Sequence, residues 1–103
     1  RKAEFVDHAS RVDTMFLEIG ATRRVEGWGD DIPAGQHTDF ARAVAATPGE
    51  TVAFSWIEWP DKPTRDAAME KMRTDPRMTG TPMPFDGKRM IFGGFDSVVD
   101  LTA

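Results

Sequence analysis

Apolar residues near the start of the chain recur at alternating intervals of four and three positions. They are Phe5, Ala9, Val12, Phe16 and Ile19. Intervals of this kind bring side chains onto one stripe of an α-helix. Gly20 follows directly, and glycine is common just beyond the C-terminus of a helix. The pattern predicts a helix over residues 1–19.

Two later stretches are typical of β-strands. Residues 21–29 contain Val25 and Trp28 among arginines and glycines, which predicts a strand near a sheet edge or one with a bulge. Residues 50–59 alternate more regularly. One face would carry Val52, Phe54 and Trp56, and the other Ala53, Ser55, Ile57 and Trp59. Both faces are mostly apolar, so this strand is expected to be covered on both sides.

Two shorter patterns indicate further helical structure. Residues 40–46 favour one or two helical turns that end before a Pro-Gly pair. Asp61 can cap a second helix with Pro63 in its first turn, running to about Arg73. A further short turn is predicted at residues 75–78.

The last apolar stretch follows an Asp-Gly turn and predicts a strand over residues 88–99. Met90, Phe92 and Val98 would lie on one face, and Ile91, Phe95 and Val99 on the other. The pair Gly93-Gly94 can add a bulge that exchanges the later positions between the two faces.

The order of elements is helix, strand, strand, helix, strand within one domain over residues 1–103. A strand before Arg1 would complete the βαββαβ order of a ferredoxin-like α+β fold, and we expect that a natural N-terminal segment precedes this chain. Two helices cover only one face of such an antiparallel sheet. Large side chains on the other face would meet water, at roughly 1.5–3 kcal/mol each. A second copy packed sheet to sheet removes that cost, so the pattern predicts a homodimer.

Composition narrows the classes of function. A net charge of −4 argues against general attraction to nucleic acid or to an anionic membrane surface. The chain has no cysteine, which excludes disulfides and thiol chemistry and fits a cytoplasmic location. No apolar run approaches the roughly 20 residues of a membrane-spanning helix.

Several separated blocks of sequence resemble a known family. The blocks are FARAV, ETVAFSWI, DPRM and MPFDGKRMIFGGF, in that order. Together they closely resemble the YbaA-like family of small bacterial proteins of unknown function, over nearly the whole chain from Gly20 onward. The resemblance implies a dimeric α+β barrel, in which two ferredoxin-like protomers join their sheets. It also implies an apolar first strand, which is missing from this chain.

The densest charged group beside apolar strand residues is Asp86 with Lys88 and Arg89. In one interpretation, a basic side chain holds an anionic substrate while Asp86 moves a proton. In the other, Asp86 and Gly87 make a turn and the basic side chains are solvated. The sequence favours the turn and leaves the first interpretation open.

Three further residues are candidates for a ligand site. Trp56 would line a cavity, although aromatic residues on central strands more often belong to a core or an interface. Glu26 on its strand can face a cavity as a base, or pair with an arginine such as Arg42. Neither His8 nor His37 has a second histidine at ligand spacing, so no metal and no cofactor is predicted.

The sequence supports two classes of function without deciding whether the protein is an enzyme. The first is a homodimeric small-molecule binder or cofactor-free enzyme, with a pocket near the sheet and dimer interface and a small apolar or anionic metabolite as ligand. Its ligand-binding candidates are Trp56, Arg42, Asp86, Arg89 and Glu26. The second is a non-catalytic structural or stress-associated interaction module, whose apolar sheet face serves only dimerisation.

Overall fold

A computed structural model describes residues 1–76 and 83–103 as an α+β structure. Three helices and a two-stranded antiparallel sheet make up its regular elements. In chain order they are α1 (Lys2–Glu18), β1 (Arg23–Trp28), α2 (Phe40–Ala43), β2 (Ala53–Glu58) and α3 (Lys62–Thr74), followed by a 3-10 turn at Gly87–Arg89. No helix in the described residues combines the length and apolar character that a membrane span requires.

The first helix forms as its apolar stripe predicts. Phe5, Ala9, Val12 and Phe16 are all buried, together with Met15 and His8. The helix ends where Gly20 adopts a φ of +118°, which side chains rarely allow. Helix α3 passes close by, because a Cβ on Gly20 would lie 2.6 Å from the Thr64 methyl carbon.

The two strands pair in a register that fixes which side chains share a face. Val25 lies opposite Trp56, and Glu26 lies opposite Ser55. Directly opposed residues point to the same side of a sheet, and the side alternates along each strand. One face therefore carries Glu26 and Ser55 toward α1, and the other carries Val25 and Trp56 away from it. The predicted division between two faces is confirmed for residues 53–58, but the expectation that this strand is covered on both sides is wrong for this structure, since residues 53–56 are exposed.

The core lies between α1, the covered sheet face and α3. Val12, Met15, Phe16 and Ala21 form its buried centre, and Ile19, Ile57, Trp59 and Met72 pack around them. Asp61 caps α3 as predicted, because its carboxylate accepts a hydrogen bond from the Thr64 backbone N–H at 2.8 Å. Ala68 of α3 is only 1% exposed, so this helix sits tightly against the rest of the chain.

The predicted strand at residues 88–99 is wrong for this structure. Its first residues belong to the 3-10 turn, and residues 90–99 form no strand. A strand needs the backbone N–H and C=O groups of a neighbour, and in the described residues β1 and β2 pair only with each other. Phe92 and Phe95 of this segment are 88% and 92% exposed.

Two other local predictions have mixed outcomes. Gly94 lies against α3, since a Cβ there would come 2.6 Å from a guanidinium nitrogen of Arg65. The neighbour is the end of a flexible side chain, and the predicted bulge does not occur because residues 90–99 form no strand. The short turn predicted at residues 75–78 lies partly outside the described residues.

Candidate functional site

The sheet face that points away from α1 carries a row of aromatic rings. The ring centroids of Phe40 and Phe54 are 6.4 Å apart at nearly right angles, and those of Phe54 and Trp56 are 6.2 Å apart. Phe40 belongs to α2, so the row joins that helix to β2. The three residues are 43–57% exposed. We call Phe40, Phe54 and Trp56 the aromatic row.

A charged pair lies at the Trp56 end of this row. The indole N–H of Trp56 donates a hydrogen bond to Glu58 Oε2 at 2.8 Å. Arg23, opposite Glu58 in the sheet register, brings a guanidinium nitrogen within 3.6 Å of the same oxygen. Arg23 remains largely exposed, so part of its hydrogen-bonding capacity is open to a ligand. Sequence reasoning missed Arg23 and Glu58, although Glu58 is two positions from Trp56 on a period-two strand.

Glu26 lies on the opposite face, beside α1. Its carboxylate accepts hydrogen bonds of 2.8 Å from Arg24, and the same guanidinium lies 2.9 Å from Asp13 of α1. The expected pairing with an arginine is therefore present, but the partner is Arg24 and not Arg42. Burial raises the pKa of Asp13 to about 6; Arg24 opposes this rise, and a hydrogen bond with Glu26 adds to it.

An open groove of about 390 Å³ runs between the first half of α1 and β1. Phe5 and Trp28 form an aromatic part of its wall, with ring centroids 5.3 Å apart. Asp13 and Glu26 line the groove as well. Sequence reasoning placed Glu26 near a cavity, and it lines this one, but Asp13 was missed because only the fold brings it to β1.

The side chain of Arg42 forms bonds within its own part of the chain. Its side chain bonds to the Asp39 carboxylate at 3.0 Å and also donates to the Gly35 carbonyl oxygen. Asp39 in turn caps α2 by accepting a hydrogen bond from the Arg42 backbone N–H. Backbone hydrogen bonds from Arg42 and Gly35 lower the pKa of Asp39. These contacts hold the loop before α2 in place.

Arg89 is the centre of a second structural cluster. It forms a two-bond pair with Glu50, at 2.9 Å for each bond, and also donates to Asp86 and to the Ala45 carbonyl oxygen. The hydrogen bonds from Arg89 are the largest cause that lowers the pKa of Glu50, and they raise the pKa of Arg89. The cluster ties the 3-10 turn to the loop before β2. Glu50 was not among the predicted residues.

Asp86 makes the turn that the second sequence interpretation predicts. Its carboxylate accepts a hydrogen bond from the Lys88 backbone N–H at 3.0 Å and so caps the 3-10 turn. Lys88 is exposed. With Asp86 and Arg89 bonded to each other, the structure accounts for both residues through local bonding.

The histidines lie apart from these groups. His8 is buried on α1 and meets the edge of Phe85 with ring centroids 6.2 Å apart. His37 is exposed in the loop before α2. Among the described residues, no three His, Asp or Glu side chains form a group that could hold a metal ion.

Comparison with known proteins places the chain in a family. Residues 1–87 match the family described as a protein of unknown function, DUF1428. The chain belongs to the DUF1428 family. It is 52% identical over 102 residues to the protein named Uncharacterized protein YbaA of Escherichia coli K12, covering 97% of this chain and 87% of the relative. YbaA of Shigella flexneri matches to the same extent. The resemblance to YbaA-like bacterial proteins is confirmed.

In this DUF1428 member, the five predicted site residues do not form one site. Trp56 lies in the aromatic row on the open sheet face, and Glu26 lies in the groove on the other face. Arg42, Asp86 and Arg89 stabilise loops and turns. The strand side chains that share a face with Trp56 are therefore Val25, Phe54, Glu58 and Arg23.

Proposed function

We propose that this DUF1428 protein is a cytoplasmic homodimer that binds a small apolar, anionic metabolite between its two sheet faces. The observation that carries the proposal is the aromatic row, whose rings lie half-exposed on the sheet face that points away from α1. Contiguous exposed apolar surface of this kind marks an interaction site on most soluble proteins. The chain has no cysteine and therefore no disulfide that the reducing cytoplasm would break.

A second copy of the chain is the partner that fits this face. Two-fold symmetry lets one patch cover itself, so a single sequence can evolve both halves of the interface. Residues 90–101 add further exposed apolar side chains, including Ile91 at 70% and Leu101 at 88%. In the ferredoxin-like arrangement that we propose, the partner's sheet covers these exposed side chains in a barrel.

The chemistry of the face selects the ligand class. Aromatic side chains hold flat apolar groups through burial and edge or stacked contacts. Arg23 adds an exposed guanidinium that is held only at 3.6 Å by Glu58, so a carboxylate or sulfonate can compete for it. An apolar ring system with one negative charge satisfies both features. A cofactor-free reaction on such a ligand would use the same site.

The competing function is a non-catalytic interaction module, in which the open face serves only assembly. It is favoured by the local bonding of Arg42, Asp86 and Arg89, which leaves few polar groups to act on a ligand. Both functions require the dimer. They differ in whether the aromatic row also encloses a ligand.

Native mass spectrometry and binding of anilinonaphthalene sulfonate, an apolar aromatic anion, separate these functions. For the wild-type protein we expect two chains and saturable binding of the probe. Arg23→Gln should keep the dimer and weaken probe binding at least about tenfold, because it removes the positive charge while retaining length and polarity. Leu17→Ala is the control, since Leu17 is 50% exposed on α1 and away from the open face.

The outcomes are distinct. If Trp56→Ala loses the probe but keeps the dimer, the face holds a ligand pocket. If Trp56→Ala loses the dimer and the wild-type dimer ignores the probe, the assembly function is correct. A monomer at every concentration tested would contradict both functions.

A further inference from the structure

Three charged side chains meet where α1 packs on β1. Asp13, Arg24 and Glu26 are each less than one-fifth exposed, at 19%, 15% and 17%. The Arg24 guanidinium lies between the two carboxyls, 2.9 Å from Asp13 Oδ1 and 2.8 Å from Glu26 Oε2. It also lies 4.7 Å from the ring centroid of Phe16, which keeps water from its face. We call Asp13 and Glu26 the carboxyl pair.

The charges in this cluster do not balance. With both carboxyls ionised, one guanidinium faces two negative charges in a poorly hydrated place. Asp13 Oδ1 is sealed from solvent and accepts no hydrogen bond, despite its short distance to Arg24. A buried carboxylate oxygen without a hydrogen bond is costly, whereas one proton between two carboxyls supplies a bond and removes the repulsion.

We propose that the carboxyl pair is a proton-controlled contact that holds α1 against β1 and sets the width of the groove between them. With one shared proton, Asp13 and Glu26 are joined by a hydrogen bond, and α1 lies close to the strand. Without it, two carboxylates repel each other across the same junction. Because both residues line the groove, their separation changes the space beside Phe5 and Trp28.

The charged groups that control the titration of Asp13 belong to the cluster itself. The pKa of Asp13 is raised to about 6 by burial, with Arg24 opposing and Glu26 adding to the shift. Lys2 lines the groove too, but it precedes Asp13 by eleven positions, or roughly 16 Å along a helix. His8 is also on α1 and packs against Phe85. The residues of β2 and α3 that pack against the core cluster beside α1, Ile57 and Met72, are apolar.

The sign of the effect follows from linkage. Asp13 has an ordinary pKa of 3.8 when unfolded and about 6 when folded, so the folded state holds its proton more tightly. The contribution of Asp13 to stability is complete below about pH 4, falls as pH rises toward 6, and is lost above it. The contact therefore opens as the pH rises through the range just below neutral.

Two measurements on the whole chain test the proposal. Carboxyl NMR should give Asp13 a midpoint near 6, well above its ordinary 3.8. Amide exchange, corrected for the intrinsic effect of pH, should show the first half of α1 opening at least about threefold more often at about pH 7.5 than at about pH 5. Asp13→Asn replaces the carboxyl with a neutral group of similar shape and should remove this difference.

Asp7→Asn is the matched control. Asp7 is an exposed α1 carboxylate that pairs with Arg11 at 3.1 Å, so this variant should keep the wild-type dependence. Glu26→Gln provides a second neutral variant if Asp13→Asn folds poorly, and it should weaken the dependence, because it removes the repulsion while Asp13 stays buried. A midpoint for Asp13 near 3.8, or an unchanged dependence in both neutral variants, would overturn the proposal. Neither result bears on the dimer, because the carboxyl pair lies on the opposite sheet face from the aromatic row.

Discussion

The indole N–H of Trp56 bonds to the carboxylate of Glu58, two residues further along the same strand, at 2.8 Å. The bond is made within β2, on the face that points away from α1, so the core does not hold the Trp56 ring. Trp59, in contrast, packs edge-on against Phe16 of α1 with ring centroids 6.4 Å apart. The two tryptophans therefore serve different purposes.

We expect Trp56→Ala and Trp59→Ala to differ in how their melting temperatures depend on concentration. Dimer formation stabilises by mass action, so the wild-type melting temperature should rise with protein concentration. Trp56→Ala should weaken that rise without abolishing it, because it truncates one ring of the proposed interface and leaves the rest of the face in place. Trp59→Ala should lower the melting temperature at every concentration, corresponding to about 2–3 kcal/mol for a partly buried tryptophan.

Scanning calorimetry over a wide range of protein concentrations measures both effects. Leu17→Ala serves again as the control and should follow the wild-type curve with a small offset. A Trp56→Ala protein that keeps the full concentration dependence would show that the aromatic row lies outside the dimer interface.

The Arg89–Glu50 pair leads to a prediction about how firmly the segment after α3 is held. Arg89→Met keeps the length of the side chain and removes both bonds to Glu50 and the bond to Asp86. Amides of residues 83–90 should then exchange faster, since the pair is the main tie between the 3-10 turn and the loop before β2. The pKa of Glu50 should return toward its ordinary 4.5, because its largest lowering cause is lost.

Carboxyl NMR and amide exchange check these two effects together. Because the pKa of Glu50 is lower in the folded state than its ordinary 4.5, Glu50 stabilises the folded state above that pH. This contribution is lost as the pH falls through the pKa of the folded state. Arg89→Met should therefore show a weaker loss of stability in acid. Arg73→Met is the control, since it breaks the exposed Arg73–Glu70 pair on α3. Unchanged exchange of residues 83–90 would mean that Phe85, and not Arg89, holds this segment.

Much of this fold could be predicted from local patterns. The α1 stripe, the alternation in β2 and the Asp61 cap are properties of neighbouring residues, and each is present where the pattern predicts. The segment at residues 88–99 was predicted as a strand from the same kind of alternation. A strand also depends on a hydrogen-bonding neighbour, and alternation says nothing about which edge is available.

The candidate site was less predictable for a related reason. Glu26 and Asp13 lie thirteen positions apart and meet only because α1 folds back over β1. Glu50 and Arg89 are still further apart in the chain, and their spacing in the sequence does not predict that they pair. Trp56 could be selected from its place on an apolar strand, but its exposure follows from its position on the sheet face that points away from α1, which alternation alone does not assign.

Substitution of Gly20 tests the close approach between the end of α1 and the start of α3. Gly20→Ala meets two penalties: a φ of +118° and a new Cβ 2.6 Å from the Thr64 methyl carbon. Gly49→Ala meets only the first, because Gly49 has a φ of +89° with open space around it. We expect Gly49→Ala to cost about 1 kcal/mol and Gly20→Ala about 1–2 kcal/mol more, measured by urea unfolding.

Thr64→Ser separates the two penalties at Gly20. It removes the obstructing methyl group and keeps the hydroxyl, so the double variant should recover most of the extra cost. The coupling in this double-mutant cycle should be about 1 kcal/mol in the favourable direction. If Gly20→Ala costs no more than Gly49→Ala, the start of α3 does not press against the end of α1.

Arg24→Met tests the electrostatics of the junction between α1 and β1. The variant keeps an apolar side chain over Phe16 but leaves Asp13 and Glu26 without their cation. Since Arg24 lowers the pKa of Asp13, that pKa should rise above its value of about 6. The loss in free energy of unfolding should reach about 2–3 kcal/mol above neutral pH, where both carboxyls are ionised, and shrink at about pH 5, where a proton replaces the missing charge.

Arg23→Met is the matched control on the neighbouring position of the same strand. Arg23 is exposed and only 3.6 Å from Glu58, so its loss should cost a few tenths of a kcal/mol at either pH. Urea unfolding of both variants at the two pH values provides the comparison. A loss for Arg24→Met that does not change with pH would place its contribution in packing against Phe16, because only the charge of Arg24 responds to the proton on Asp13.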